Sequence, residues 1–132
     1  MFETLDSWKT RVQTICDQFK DPDRTTFVVV CIPEFLSMYE MERLAIEVAK
    51  KDIDLRNIVI NQVLFPDPRA PCKKCQARRK MQDKYITMIK DIYEEDFHIT
   101  TNPLLDEEVR GMDGLRGFGK LLFEGYKPEW EE

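Results

Sequence analysis

Cys72 and Cys75, separated by two residues, give the sharpest chemical signal in the chain. Thiolates at this spacing can hold one zinc ion from the same side, at about 2.3 Å each. Structural zinc takes four ligands, so one pair is half a site. The only histidine, His98, falls in an expected strand, and a second copy of the pair from an identical chain would complete the site across a two-fold axis. A redox reading stands beside the zinc reading. Both cysteines open an expected helix next to Lys73 and Lys74, which lowers a thiol pKa and suits disulfide exchange. Incidental surface thiols are the third reading. Cys16 and Cys31 sit alone in apolar-patterned segments and read as small core residues.

Lys73, Lys74, Arg78, Arg79 and Lys80 form one basic cluster. A nucleic-acid patch is one reading, and charge compensation beside a thiolate centre is the other and preferred one. Phosphate binding would need a loop of the form G-x-x-x-x-G-K-S/T, whose backbone N–H groups surround the phosphates, and the sequence holds none. The glycines at 114, 117 and 119 have the wrong spacing and fall on the helical pattern of Leu115, Phe118, Leu121 and Leu122, so they read as structural.

The elements that must position these residues emerge from periodicity. Phe2, Leu5, Trp8, Val12, Ile15 and Phe19 recur at three or four, predicting an amphipathic helix over 2–19 that stops before Pro22. Its apolar face suits packing on a sheet, with binding of apolar clients as the functional alternative. TTFVVVCI at 25–32 predicts a parallel strand covered on both faces. Ser37 and Glu40 form a capping-box pattern opening a helix to about residue 51, with Leu44 and Val48 on one face. NIVINQVLF at 57–65 predicts a second strand, and the three prolines of PDPRAP interrupt regular structure between it and the cysteine pair. A helix over 74–93 carries a stripe of Met81, Tyr85, Met88, Ile89 and Ile92, a short strand spans 97–101, and a last helix spans 113–122. Met38, Met41, Met81 and Met88 read as core fillers.

The order β-α-β-α-β implies right-handed crossovers and an α/β fold of three mostly parallel strands with flanking helices. Such a sheet has two exposed edges, and its first element is a helix without a preceding strand, so the chain reads more like the second half of a doubly wound domain than a complete one. In isolation it is expected to be only marginally stable.

Bulk composition limits the function classes. The 132 residues are 42% hydrophobic, enough for one compact core. Against 20 Lys and Arg stand 25 Asp and Glu, a net charge of -5 that argues against a dedicated nucleic-acid partner. No stretch reaches the roughly 18 apolar residues of a membrane span, and the first residues lack a signal-peptide core, so a cytoplasmic location is expected.

The segments TTFVVVCIPEFLSMYEMERL, INQVLFPDP, CKKCQARRKMQDKYI, YEEDFHI and NPLLDEEVRG occur in this order. Together they resemble the eukaryotic tail-anchored-protein targeting ATPase, a relative of the bacterial arsenite-pump ATPase, through residues 25–127. The resemblance implies a homodimer that closes on ATP with magnesium and forms a hydrophobic groove for a client's transmembrane helix. It also implies reopening after hydrolysis at an endoplasmic-reticulum membrane receptor, and residence in the cytoplasm and peripherally at that membrane. It divides the chain into residues 1–22, the end of a client-binding helical region, and residues 23–132, the second half of the nucleotide-binding domain.

By the same resemblance, Cys72 and Cys75 hold a zinc ion shared between two subunits. Asn61 hydrogen-bonds the adenine, a role that an amide with both donor and acceptor suits. Pro103, Leu104, Leu105, Asp106, Glu107, Glu108, Val109 and Arg110 form the loop that wraps the base. Glu34 lies near the nucleotide, and Glu40 matches a second glutamate at the dimer-facing side. Val29 stands where a cysteine is frequent, and Thr101 and Asn102 stand where a lysine and an apolar residue are usual. The phosphate loop, the catalytic aspartate and both nucleotide-sensing switches have no counterpart in these residues, so no catalytic residue is assigned. The chain is expected to be the carboxy-terminal part of the ATPase, unable to hydrolyse ATP alone. The alternative is a stand-alone zinc-bridged dimerisation module without ATPase activity.

Overall fold

The computed structural model describes residues 2–128 and 130, without the side chains of residues 2 and 3. The elements run α1 (Phe2–Lys20), β1 (Phe27–Cys31), α2 (Phe35–Lys50), β2 (Leu55–Val63), α3 (Lys73–Tyr93), β3 (His98–Pro103) and α4 (Gly111–Glu124). The strands form one parallel sheet in the order β1-β2-β3, with Val29 beside Ile58 and Ile58 beside Ile99. This is the expected α/β arrangement of three parallel strands and flanking helices, consistent with a partial P-loop NTPase-type fold.

Because the strand order advances in one direction, right-handed crossovers place α2 and α3 on the same face. That face is the core, in which Val29, Cys31, Ile58, Ile60 and Val63 of the sheet pack with Met41 of α2 and with Ile86 and Ile89 of α3. Alternation turns Val28 and Val30 to the other face, where Val30 is 62% exposed although its neighbour Val29 is only 4% exposed. The expectation that this strand is covered on both faces is therefore corrected: no element of the described chain lies over the second face at β1. Farther into the sheet, Val59 and Asn102 on that face are buried, and α4 lies against β3.

The first helix also departs from expectation. Its stripe of Leu5, Trp8, Val12, Ile15 and Phe19 is exposed rather than packed on the sheet, and Cys16 is exposed with it. The Phe2 side chain lies outside the described residues. Turn chemistry ends α1 at Lys20: Asp21 accepts from the Asp23 N–H at 3.0 Å, and the Thr25 hydroxyl donates to the Gln18 carbonyl at 2.8 Å.

At α2 the capping box does not form. The helix starts at Phe35 with Glu34 as its extended N-cap, and the Ser37 hydroxyl accepts instead from the Ile32 N–H at 3.0 Å. Ser37 thus ties the strand exit to the helix, and Glu40 pairs with Arg43 at 3.2 Å. Leu44 is exposed while Val48 is buried. The stripe expected on α3 is offset as well. Gln82, Ile86 and Ile89 face the sheet, whereas Met81, Met88 and Ile92 are exposed, so of the four methionines expected as core fillers only Met41 is buried and Met38 half-buried.

Candidate functional site

The central strand carries the site's most unusual backbone. Gln62 has φ of 59°, a left-handed conformation that side chains other than glycine rarely adopt, and the pairing of β2 with β3 slips between Ile60 and Val63. Asn61 precedes this bulge, at the C-terminal end of β2, where open parallel sheets bind ligands. It is half-buried, and its carboxamide has no hydrogen-bond partner among the described residues. Alternation from Ile58 and Ile60 places it on the face away from α3.

The expected base-wrapping loop starts beside it. Val63 is the register partner of Pro103, and the Leu104 N–H donates to the Val63 carbonyl at 2.9 Å. Pro103 is buried, and Val109 is half-buried against Gly114. Leu104, Leu105, Asp106, Glu107 and Glu108 are exposed, and Arg110, the extended N-cap of α4, pairs with Glu108. Asn102, 1% exposed, leaves its Oδ1 without a partner among the described residues.

A cavity of about 280 Å³ lies on the α3 side of the same strand ends, lined by Pro33, Glu34, Gln62, Leu64, Cys75, Arg78, Gln82 and Leu104 among others. Glu34 accepts from the Arg78 guanidinium there at 2.9 Å. The sheet therefore sets Pro103 and Leu104 beside Val63, two residues beyond Asn61. Glu34 and Cys75 share the cavity behind them, which Asn61 does not line.

Cys72 is the N-cap of α3, and its sulfur accepts from the Cys75 N–H at 3.4 Å. The backbone and side-chain bonds from Cys75, joined by the Lys74 N–H, hold the Cys72 thiol below its ordinary pKa. Cys75 is pushed up, because its own proton is donated to Cys72, because it is partly desolvated and because Cys72 carries the negative charge. Two cysteines on a helix's first turn, one of them held below its ordinary pKa, fit two corners of a zinc site. No third histidine, cysteine or carboxylate joins them among the described residues. His98 lies at the start of β3, the opposite end of the sheet, along an α3 that runs about 30 Å.

The basic cluster is largely committed to structure. Arg78 holds Glu34, while Arg79 donates to the Leu64 carbonyl at 2.7 Å, pairs with Asp83 at 2.8 Å and sits 4.8 Å over the Phe65 ring. Gln82 has no place among the residues singled out from the sequence. It occupies the sheet-facing stripe of half-buried Arg79 and buried Gln82, Ile86 and Ile89, and a polar residue at helical spacing among core positions was the available signal.

A unit of three parallel strands with flanking helices is consistent with part of a P-loop NTPase-type fold. The family model described as an anion-transporting ATPase matches residues 1–124, and the chain belongs to that family. It is 53% identical to "ATPase ASNA1 homolog 2" of Paramecium tetraurelia over 94% of this chain and 37% of that protein. It is 47% identical to "ATPase GET3" of Mycosarcoma maydis over 99% of this chain and 40% of that protein. With "ATPase get3" of Neurospora crassa the identity is 48%, over 97% and 38%. The chain thus spans about two fifths of the length of the curated relatives it matches. No described helix is long and apolar enough to cross a membrane.

Proposed function

We propose that this chain supplies the adenine-reading strand end and the dimer-linking cysteine pair of an ATP-hydrolysing factor that delivers tail-anchored membrane proteins post-translationally to the endoplasmic reticulum. On this reading residues 23–132 are the second half of the nucleotide-binding domain, and residues 1–22 close a client-binding helical region. Residues outside these 132 supply the phosphate loop, magnesium coordination and most of the client groove. The protein works in the cytoplasm, meets a receptor at the endoplasmic-reticulum membrane and takes client transmembrane helices as cargo.

Asn61 is the observation that carries the nucleotide part. A free carboxamide at the C-terminal end of the central strand can donate to a ring nitrogen and accept from an exocyclic amine of adenine. The exposed residues from Leu104 to Glu108 leave the neighbouring strand end, and on this reading they fold over the base. The exposed apolar stripe of α1 supports the helical region's role, since a run containing Leu5, Trp8 and Val12 in the open suits an apolar cargo.

Cys72 and Cys75 support the dimer part. When bound, zinc would crosslink two chains by drawing two thiolates from each. The experiment is metal content with solution mass, before and after C72S/C75S. One zinc per two chains, with zinc and dimer both lost in the variant, supports the reading. A metal-free monomer with a reducible Cys72 to Cys75 bond overturns the zinc bridge in favour of a redox pair.

A further inference from the structure

The face of α3 that leaves the cysteine turn grips the backbone of β2 where that strand ends. Gln82, 5% exposed, donates from Nε2 to the Gln62 carbonyl at 3.0 Å and accepts at Oε1 from the Leu64 N–H at 2.9 Å. Arg79 adds a third hold by donating to the Leu64 carbonyl at 2.7 Å. One helix face thus satisfies three backbone groups within three residues, where the slip of β2 against β3 disrupts the ladder.

The hold is needed because the bulge is costly. A non-glycine residue in the left-handed region persists only where its surroundings over-determine it. A buried side-chain amide that spends its donor and its acceptor on one stretch of backbone does this, since removing it leaves two part-buried backbone groups without their protein partner. Asn61 is the residue immediately before Gln62, so the bulge sets the direction in which Asn61 leaves the strand.

We propose that Gln82, with Arg79 as a second hold, is a positioning residue for Asn61: it fixes the left-handed bulge at Gln62 and thereby the angle at which the Asn61 carboxamide meets a purine base. The inference rests on the reading of Asn61 as the adenine contact. Gln82 itself lies on the α3 side of the strand and touches no base.

The test uses the full-length protein that carries these residues and compares ATP with purine riboside triphosphate, in which hydrogen replaces the exocyclic amine, so that a turned carboxamide finds no substitute donor on the base. KM and kcat are measured for both nucleotides in N61A, Q82M, R79M and N61A/Q82M. Expected is a preference for ATP that falls about tenfold in N61A, the scale of one lost hydrogen bond in a desolvated site. Q82M loses a similar amount and R79M about threefold, with the change concentrated in the KM for ATP. The double variant loses no more than N61A alone, because a misplaced amide and an absent amide are equivalent.

R79M removes a half-buried contact and carries the test if Q82M fails to fold. Loss of preference in N61A, with Q82M or R79M keeping it, overturns the positioning role and leaves the Asn61 reading standing. An unchanged preference in N61A removes the Asn61 reading itself. Equal losses for both nucleotides in Q82M and R79M also overturn the proposal, since they report a general packing role.

Discussion

Val29 and Val30 are chemically identical neighbours in one strand, yet one is buried by α2 and α3 and the other stands in solvent. The covered face of the sheet is finished within the chain, with Ile60 and Ile89 wholly enclosed. The second face is bare at β1 and buried only farther in, at Val59 and Asn102. A β-branched run announces a sheet interior without saying which neighbour provides the cover. On the proposed reading the bare face is where the rest of the nucleotide-binding domain lies, in keeping with a chain that spans about two fifths of its relatives' length.

Deletion of side-chain volume on each face breaks or sharpens this contrast most strongly. Ile89→Ala on the covered face is expected to cost about 2–5 kcal/mol, a buried truncation that leaves a cavity. Val30→Ala should change stability by less than about 0.5 kcal/mol, because nothing in the described chain packs on it. Urea midpoints at constant denaturant slope check both values. A Val30→Ala cost comparable to that of Ile89→Ala would mean that a second molecule covers the open face in solution.

The covered face also has a chemical signature. Burial pushes the Cys31 thiol from its ordinary 9.0 up to about 11. The folded chain therefore keeps a proton that the unfolded chain releases, so this contribution to stability is fully present below pH 9 and is lost as pH rises through 11. The expected loss is about 2 kcal/mol, read as the difference between wild type and Cys31→Val in urea titrations at pH 8 and pH 10.5. An equal pH dependence in the two proteins would show that the face is open to water. In the same chain exposed Cys16 should alkylate much faster than Cys31 at neutral pH.

Element order and parallel pairing were legible because β-branched runs alternate with helical periods, and crossover handedness does the rest. Edges were less so. The second strand ends at Val63 rather than residue 65 because the Leu64 N–H and carbonyl are taken by Gln82 and Arg79, side chains of a helix later in the sequence. On α3, two adjacent apolar stripes compete, and periodicity cannot choose between Met81 with Met88 and Ile86 with Ile89. The cysteine pair was legible from spacing. Asn61, Glu34 and the loop from Pro103 to Arg110 came from the family resemblance, because one amide and a proline-led loop carry no periodic signal.

Asn102 gives the smallest test, and it bears on the buried end of the second face. Its Oδ1 is enclosed without a partner among the described residues, which costs about 1–3 kcal/mol relative to a satisfied or apolar group. Leucine is somewhat larger than asparagine and carries nothing to satisfy. Asn102→Leu should therefore raise stability by about 1 kcal/mol after the cost of fitting the extra volume, measured as a higher urea midpoint. A lowered midpoint would mean that the carbonyl has a bound water or that the site admits no added volume, and the second face would then be as tightly finished at β3 as the first is at β2.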